Sequence, residues 1–147
     1  SIILTQADQM GYQPKFFGCD GLDGLLAVKN FDTKLAEGVL LLTPFAADAT
    51  DDLTKKFVKE YKDKYDDVPN QVAADAYDAI YAIKAAMEEA KVTPDMSVTD
   101  MGDALKSAMT KVTIDGLTGD EMSWSESGEV NKDPKAVVIE NGEYVGM

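Results

Sequence analysis

A continuous apolar run of strand length constrains the fold of this sequence more than any other segment. The run EGVLLLTPF, from Glu37 to Phe45, ends beside a proline and does not alternate between apolar and polar residues. Continuous hydrophobicity over so short a run indicates a strand that is buried on both faces, as in a parallel sheet. We therefore expect a layered fold in which helices cover such a sheet.

Helical and β-rich segments flank this strand in the order expected of an α/β fold. A short helix that ends at Gly11 is followed by the strand PKFFGCD, which makes a helix–turn–strand unit. Near the other end, Met122 to Trp124 predicts a short strand, and KAVVIENGEYV predicts a hairpin that turns at Asn141 and Gly142. A chain of 147 residues with 45% hydrophobic residues is long enough for one ordinary core.

Two strong helical patterns and a weaker third lie between these β segments. The first covers 48–67, with Asp48 or Thr50 expected to cap it, and its apolar stripe is Leu53, Phe57, Tyr61 and Tyr65. The second covers 71–90, and we expect its buried face to be Ala76, Ile80, Ile83, Met87 and Ala90. Asp75 and Asp78 in its first turns are expected to be solvated rather than to form an acid pair. The third helix is carried by Leu105, Ala108 and Met109.

The charge and the missing residue types exclude several classes of function. Lys and Arg number 14 against 27 Asp and Glu, so the net charge of -13 argues against binding to nucleic acid or to an anionic membrane. Histidine is absent, which removes the commonest general base and the commonest metal ligand. The single cysteine, Cys19, cannot form a disulfide within the chain.

The stretch FFGCDGLDG, from Phe16 to Gly24, carries the candidate chemistry. It lacks the lysine-containing end of a phosphate loop, its two aspartates would repel a phosphate, and their spacing does not match a calcium loop. Local chemistry favours a turn. A carboxylate just beyond a strand nevertheless lies where α/β sheets bind ligands, and it would suit an ammonium group. Cys19 has no histidine to activate it, so we expect a buried structural thiol.

The order of the segments resembles the C-terminal part of the periplasmic-binding-protein type I family, in particular the branched-chain amino-acid (leucine/isoleucine/valine) binding proteins of ABC transporters. The matching segments are QADQMGYQPKFFGCDGLDG, LAEGVLLLTPFAAD, FVKEYKDKYDDVPNQVAADAYDAIYAIKAAMEEA and DGLTGDEMSWSESGEVNKDPKAVVIENGEY. The resemblance implies a fragment of an α/β fold with parts of two Rossmann-like lobes joined by crossover strands. Residues 1–42 would belong to the second lobe, 43–134 to the first, and 135–147 to the second again.

The resemblance also implies a binding role for the glycine turn. Asp20 would hold the α-ammonium of the ligand, with Gly21 and Leu22 beside it in the same turn. The chain has Cys19 and Leu22 where many relatives have glycine and tryptophan, a difference that concerns side-chain specificity and leaves the ammonium contact in place.

The function implied is that of an extracytoplasmic solute-binding protein of an ABC importer, which closes two lobes around a branched-chain or related amino acid. It would not be an enzyme and would need no cofactor or metal. Its partners would be the amino acid, an ABC permease and the missing N-terminal part of the same protein. Self-association of the fragment is a further expectation. The location would be periplasmic or extracellular, with a lipid anchor through the missing N-terminus as one form. A ligand-sensing receptor domain and an α/β enzyme are the alternatives; the lack of histidine argues against the enzyme.

Overall fold

The apolar run around Leu41 forms a central strand of a four-stranded sheet in a computed structural model that describes residues 1–147. The helices are α1 (Ile2–Gln9), α2 (Asp52–Tyr65), α3 (Gln71–Glu89) and α4 (Val98–Met109). The strands are β1 (Phe17–Gly18), β2 (Leu40–Thr43), β3 (Thr113–Ile114), β4 (Met122–Ser123), β5 (Lys135–Glu140) and β6 (Glu143–Gly146). The chain divides into two compact units, of which the first is Ser1–Gln71 with Pro134–Met147 and the second is Val72–Asp133.

The sheet of the first unit is mixed and has the spatial order β1-β2-β5-β6. β1 and β2 are parallel, whereas β5 runs antiparallel to both β2 and β6. The predicted hairpin is confirmed: Asn141 and Gly142 connect β5 to β6, and both have positive φ angles, of 54° and 78°. Two consecutive positive φ angles suit the asparagine–glycine pair and match the twist of the flanking strands.

The core of the first unit lies on one face of this sheet. Leu41 of β2, Val39 just before it, and Val137 and Ile139 of β5 are almost fully buried there. Leu4 of α1, Leu25 and Ala36 pack against the same cluster. Gly11 has a φ of 65°, which allows the chain to leave α1 as predicted.

The opposite face of the sheet is apolar but only partly covered. The register places Phe17, Leu40, Val138 and Val145 in one row across all four strands. Phe17 is 64% exposed, and the other three side chains are only partly buried. The predicted burial of the apolar run on both faces is therefore complete on one face only.

Helix α2 begins one position later than the predicted caps allow. Asp51 is its N-cap, and the Asp51 side chain accepts a hydrogen bond from the Thr54 backbone N–H at 2.8 Å. Partial burial opposes ionisation, but the Thr54 hydrogen bonds outweigh it and hold the pKa of Asp51 below its usual value of 3.8. Three members of the predicted apolar stripe, Phe57, Tyr61 and Tyr65, form a ladder of ring contacts, although Tyr65 itself is 57% exposed.

Helix α3 presents the opposite face from the one predicted. Its buried positions include Ala74, Asp78, Ala82 and Ala86. Ile80, in contrast, is 66% exposed, and Ile83 and Met87 are also exposed. Positions two apart on a helix differ by about 200°, so Ile80 lies opposite Asp78. The alanine face packs because small side chains allow the closest approach of neighbouring backbone.

The remainder of the second unit is built around a short β3–β4 pair. Ile114 pairs with Met122 in an antiparallel ladder, and Met122 is 1% exposed. Ser97 caps α4, and its hydroxyl accepts a hydrogen bond from the Asp100 backbone N–H. None of the helices is both long enough and apolar enough to cross a bilayer.

Candidate functional site

Asp20 lies in a single helical turn, Asp20–Leu22, directly beyond the carboxyl end of β1. One carboxylate oxygen, Oδ1, accepts a hydrogen bond from the Gly21 backbone N–H at 2.9 Å. Oδ2 accepts no hydrogen bond from the protein, and the side chain is exposed. The turn therefore holds a carboxylate with one oxygen available at a strand end, the place where α/β sheets bind ligands.

Gly21 and Leu22 complete the same turn, but their surroundings differ. The space into which a Cβ on Gly21 would project is empty. Leu22 folds back over Gly18, where an added Cβ would overlap the Leu22 side chain. The glycine at position 18 thus allows the Leu22 side chain to pack directly against the end of β1.

Cys19 is exposed, so the expectation of a buried structural thiol is wrong. It precedes the helical turn in an extended conformation, with φ of -98° and ψ of -173°. Its side chain is not part of the buried cluster of the first unit. The sequence indicated burial because a free cysteine usually behaves as a small hydrophobic residue in the core.

The second acid of the stretch, Asp23, has a structural partner far along the chain. Its Oδ1 accepts from the Gly24 backbone N–H at 2.8 Å, and its Oδ2 accepts from the Gln71 backbone N–H at 2.6 Å. Both oxygens are therefore engaged, in contrast to the Asp20 carboxylate. Asp23 ties the turn to the first residue of α3.

A cavity of about 560 Å³ lies in the first unit, but the Asp20 turn does not line it. Its wall includes Asp23, Leu26, Thr43, Lys62 and Tyr144. The Tyr144 hydroxyl accepts from the Leu26 backbone N–H at 3.3 Å, and burial raises the pKa of this phenol. The sequence-predicted residues Asp20, Gly21 and Leu22 thus come together as one turn and lie outside this cavity.

In the second unit, Asp78 is a buried acceptor rather than the solvated acid that the sequence suggested. Asp78 is 5% exposed, and its carboxylate accepts from the backbone N–H groups of Leu117 and Thr118, each at 2.8 Å, and from the Thr118 hydroxyl at 2.6 Å. Gly116 approaches so closely that a Cβ there would lie 2.6 Å from the carboxylate. Asp78 joins α3 to this loop.

Asp75, one turn before Asp78, is partly exposed as expected. Its Oδ1 lies 3.0 Å from the Lys132 Nζ, and the Asp75 side chain keeps 43% of its surface exposed. A partly exposed ion pair of this kind contributes little to stability. The two acids of α3 thus have separate roles and do not form a catalytic pair.

Comparison with known proteins assigns the family. A family model described as periplasmic binding protein matches residues 2–143. The chain belongs to the periplasmic binding protein family. The family and the fold are those of substrate-binding proteins, and the branched-chain amino-acid ABC transporter binding proteins are among the solved structures that share the fold. A search of curated proteins found no match.

Three solved structures illustrate the similarity. The leucine binding protein LivK from Thermotoga maritima MSB8 is 25% identical with a TM-score of 0.78, over 99% of this chain and 39% of that one. The branched-chain amino acid transporter substrate binding protein LivJ from Streptococcus pneumoniae, in complex with isoleucine, is 23% identical with a TM-score of 0.77, over 99% and 41%. A solute binding protein from R. palustris in complex with benzoate is 17% identical with a TM-score of 0.74, over 96% and 36%. This chain spans about two fifths of the length of these relatives.

Proposed function

We propose that this periplasmic binding protein chain is the solute-binding component of an extracytoplasmic ABC importer and binds a branched-chain or related amino acid. Structures named for leucine binding, or solved with isoleucine, share the fold over nearly the whole chain. The benzoate complex has a similar TM-score, and benzoate has no ammonium group. The fold alone therefore does not select an amino acid, and the proposal depends on the Asp20 turn.

The free oxygen of Asp20 is the observation that carries the proposal. The Gly21 N–H fixes the carboxylate through Oδ1, and Oδ2 stays exposed to accept a hydrogen bond from a ligand. An ammonium donor would make a charge-assisted hydrogen bond, which is about twice as strong as a neutral one. In this proposal Asp20 binds the α-ammonium, while Gly21 and Leu22 form the adjacent wall.

The mechanism is closure of two lobes around the ligand, without catalysis or a cofactor. Residues 1–42 and 135–147 would belong to one lobe, and residues 43–134 would belong to the other. These boundaries stay a prediction. An ABC permease would accept the ligand from the closed form. A periplasmic or extracellular location, including a lipid-anchored form, accompanies this role.

The partly covered sheet face supports the further proposal that the chain works together with additional polypeptide. The row Phe17, Leu40, Val138 and Val145 is an apolar strip across four strands, and a strip of this kind marks an interaction surface. We propose the N-terminal part of the same fold as its natural partner. Without that partner the strip would drive self-association, against the repulsion of a net charge of -13 per copy.

Sedimentation velocity tests the role of this strip. We expect the chain to sediment as reversible oligomers and Val138→Glu to shift it towards monomer, while the surface change Val98→Glu on α4 has no such effect. A monodisperse monomer with one fully cooperative thermal transition would contradict the proposal.

The ligand assignment is tested by NMR titration of the chain with leucine and with N-acetylleucine, which lacks the ammonium group. We expect leucine to bind weakly, well above the submicromolar range, and to shift the amide resonances of Gly21 and Leu22. Asp20→Asn should weaken this binding by about 10- to 100-fold, the effect of losing one hydrogen bond to a charged group. Asp8→Asn, an exposed acid on α1, is the control with the same change of charge.

Two results would overturn the assignment. Equal shifts with leucine and N-acetylleucine would show that the ammonium is not recognised. Unchanged leucine affinity in Asp20→Asn would show that another group recognises it. Submicromolar calorimetric binding by the chain alone would contradict the expectation that part of the pocket lies in additional polypeptide.

A further inference from the structure

A buried polar side chain, Gln71, lies between the Asp20 turn and the end of β2. Its Nε2 donates to the Asp20 backbone carbonyl at 3.3 Å. Its Oε1 accepts from the Thr43 hydroxyl at 3.3 Å. Gln71 is 7% exposed and Thr43 is 4% exposed, so both side chains are shielded from solvent. The amide thus bridges two segments that are far apart in sequence.

The backbone of Gln71 is held independently of its side chain. The Asp23 carboxylate accepts the Gln71 backbone N–H at 2.6 Å, which satisfies one of the free donors at the start of α3. The helix therefore starts without help from the amide. A glutamine that served only to begin α3 would have no reason to bury its side chain, since burial of an amide costs free energy unless both of its ends are hydrogen-bonded.

The Asp20 carbonyl fixes which end of the Gln71 amide faces which segment, because a carbonyl oxygen can only accept a hydrogen bond. The Thr43 Oγ1 accepts from the Phe45 backbone N–H at 3.3 Å, and its single proton is shared between the Phe45 carbonyl at 3.1 Å and the Gln71 Oε1. The amide oxygen, at the other end, faces Thr43, whose hydroxyl can donate to it. The nitrogen end donates to the Asp20 carbonyl, which also accepts the Asp23 N–H at 2.9 Å.

We propose that Gln71 is the positioning residue of the ligand-binding turn, because its side-chain amide holds the Asp20 backbone in place against the end of β2. The inference rests on the proposed function of Asp20, but the geometry that it describes does not require a bound ligand. Gln71 does not touch the ligand in this proposal. It fixes where the Asp20 carboxylate stands before the ligand arrives, so that less ordering is required on binding.

Two substitutions of Gln71 test the hydrogen bonds of its side-chain amide separately from the other contacts of the site. Gln71→Met keeps the length of the side chain but removes both hydrogen bonds. Gln71→Glu keeps an acceptor for Thr43 but has no donor for the Asp20 carbonyl when ionised. Gln6→Met, an exposed position on α1, is the matched control. Both Gln71 variants keep the backbone N–H that Asp23 accepts.

Amide hydrogen exchange measured by NMR without ligand is the test of positioning. The reporter is the Asp23 amide, which donates to the Asp20 carbonyl, and the reference is the Ile139 amide, which donates to the Val39 carbonyl in the core. We expect both Gln71 variants to speed exchange at Asp23 by about 10-fold or more, with Ile139 unchanged. Unchanged exchange at Asp23 would overturn the proposal, as would an equal increase at both amides, since that pattern indicates only global destabilisation.

A leucine titration of the same variants separates this inference from the proposed function. If both proposals hold, Gln71→Met weakens leucine binding in the wild-type background and has little further effect in Asp20→Asn, because the two residues act through one contact. If leucine shifts no resonance in any variant while Asp23 exchange still responds to Gln71, the ligand assignment fails and the positioning role stands. Leucine binding that is unchanged in Gln71→Met despite a faster Asp23 exchange would refute the functional part of the inference.

Discussion

Asp78→Asn is the substitution for which the structure allows the sharpest reasoning. The wild-type carboxylate accepts three hydrogen bonds, from the N–H groups of Leu117 and Thr118 and from the Thr118 hydroxyl. An asparagine has one oxygen in place of two, and its other end is a donor. Whichever way the amide is oriented, its NH2 group faces a backbone N–H that previously donated to Asp78.

The expected cost follows from this count. Hydrogen bonds to a charged acceptor contribute about 1.5–3 kcal/mol each, and a buried donor left without a partner costs about 1–3 kcal/mol. With asparagine at position 78, one of these hydrogen bonds is lost and the others are weaker because the acceptor is neutral. One buried backbone N–H then faces the NH2 group, which is also a donor. We therefore expect Asp78→Asn to lower the free energy of unfolding by about 2–4 kcal/mol, a large share of the roughly 5–15 kcal/mol typical of a domain.

The assay is urea denaturation followed by tryptophan fluorescence. Trp124, the single tryptophan, belongs to the same compact unit as Asp78 and bridges to Val130. With an m-value of about 2 kcal/mol per M, in the middle of the usual range, the fluorescence midpoint should fall by about 1–2 M. Asp75→Asn is the matched control on the same helix, and it should cost under about 1 kcal/mol because its ion pair with Lys132 is partly exposed.

The comparison between the two aspartates can refute the reasoning. If Asp78→Asn moves the fluorescence midpoint no further than Asp75→Asn does, the three buried hydrogen bonds are not worth what their geometry indicates. A change of m-value rather than of midpoint would point instead to an altered unfolded state.

Three other predictions concern packing, acid stability and reactivity. Gly116→Ala should destabilise the chain by about 1–3 kcal/mol, because the added Cβ would lie 2.6 Å from the Asp78 carboxylate. In Gly102→Ala, on α4, the added Cβ meets no atom within 4 Å, so this change should stabilise the chain by about 0.5–1 kcal/mol. Urea unfolding of the two variants compares these effects. The lowered pKa of Asp51 adds stability above about pH 4 that is lost as the pH falls through the pKa of the folded state. The stability difference between wild type and Asp51→Asn, measured by circular dichroism, should therefore shrink from about pH 5 to about pH 3, and a constant difference would contradict this cause. Cys19 should react with a thiol reagent in the native chain as fast as in urea, and strong protection would contradict its exposure.

The elements that the sequence predicted well are those set by local chemistry. The hairpin at Asn141 and Gly142 needs only two adjacent residues that tolerate positive φ angles, and both have them. The helices α2, α3 and α4 follow from periodicity over three or more turns. The strand β2 was recognised from its apolar run, but that run could not show that β5 is its antiparallel neighbour, because the pairing joins residues almost a hundred positions apart.

The candidate site was only partly accessible to sequence reasoning for the same reason. Asp20 stands out because a carboxylate follows a short strand within one glycine turn. Asp23 lies in the same glycine-rich stretch as Asp20, so local sequence does not distinguish the two aspartates. Only the hydrogen bond of Asp23 with Gln71, 48 residues further along, shows that Asp23 has a structural role. The link from Thr43 to Gln71 spans 28 residues and has no motif that would announce it. Buried polar contacts between distant segments depend on the fold and leave no periodic signal.

The wrong prediction for α3 has a physical explanation that bears on the function. A hydrophobicity argument selects Ile80, Ile83 and Met87 for the core because they are the largest apolar residues of the helix. The structure exposes them and buries alanines, together with the hydrogen-bonded Asp78.

A second helix or sheet that packs on these large residues would resolve the conflict, since a contiguous exposed apolar patch marks a contact surface. The solved relatives share the fold but are about two and a half times as long as this chain. We propose that the exposed stripe of α3 and the open row on the sheet, each within its own compact unit, are contact surfaces for the remainder of that fold. Hydrogen exchange and solvent labelling of Met87 and Phe17, with and without added N-terminal polypeptide of the same fold, would show whether the same partner protects both.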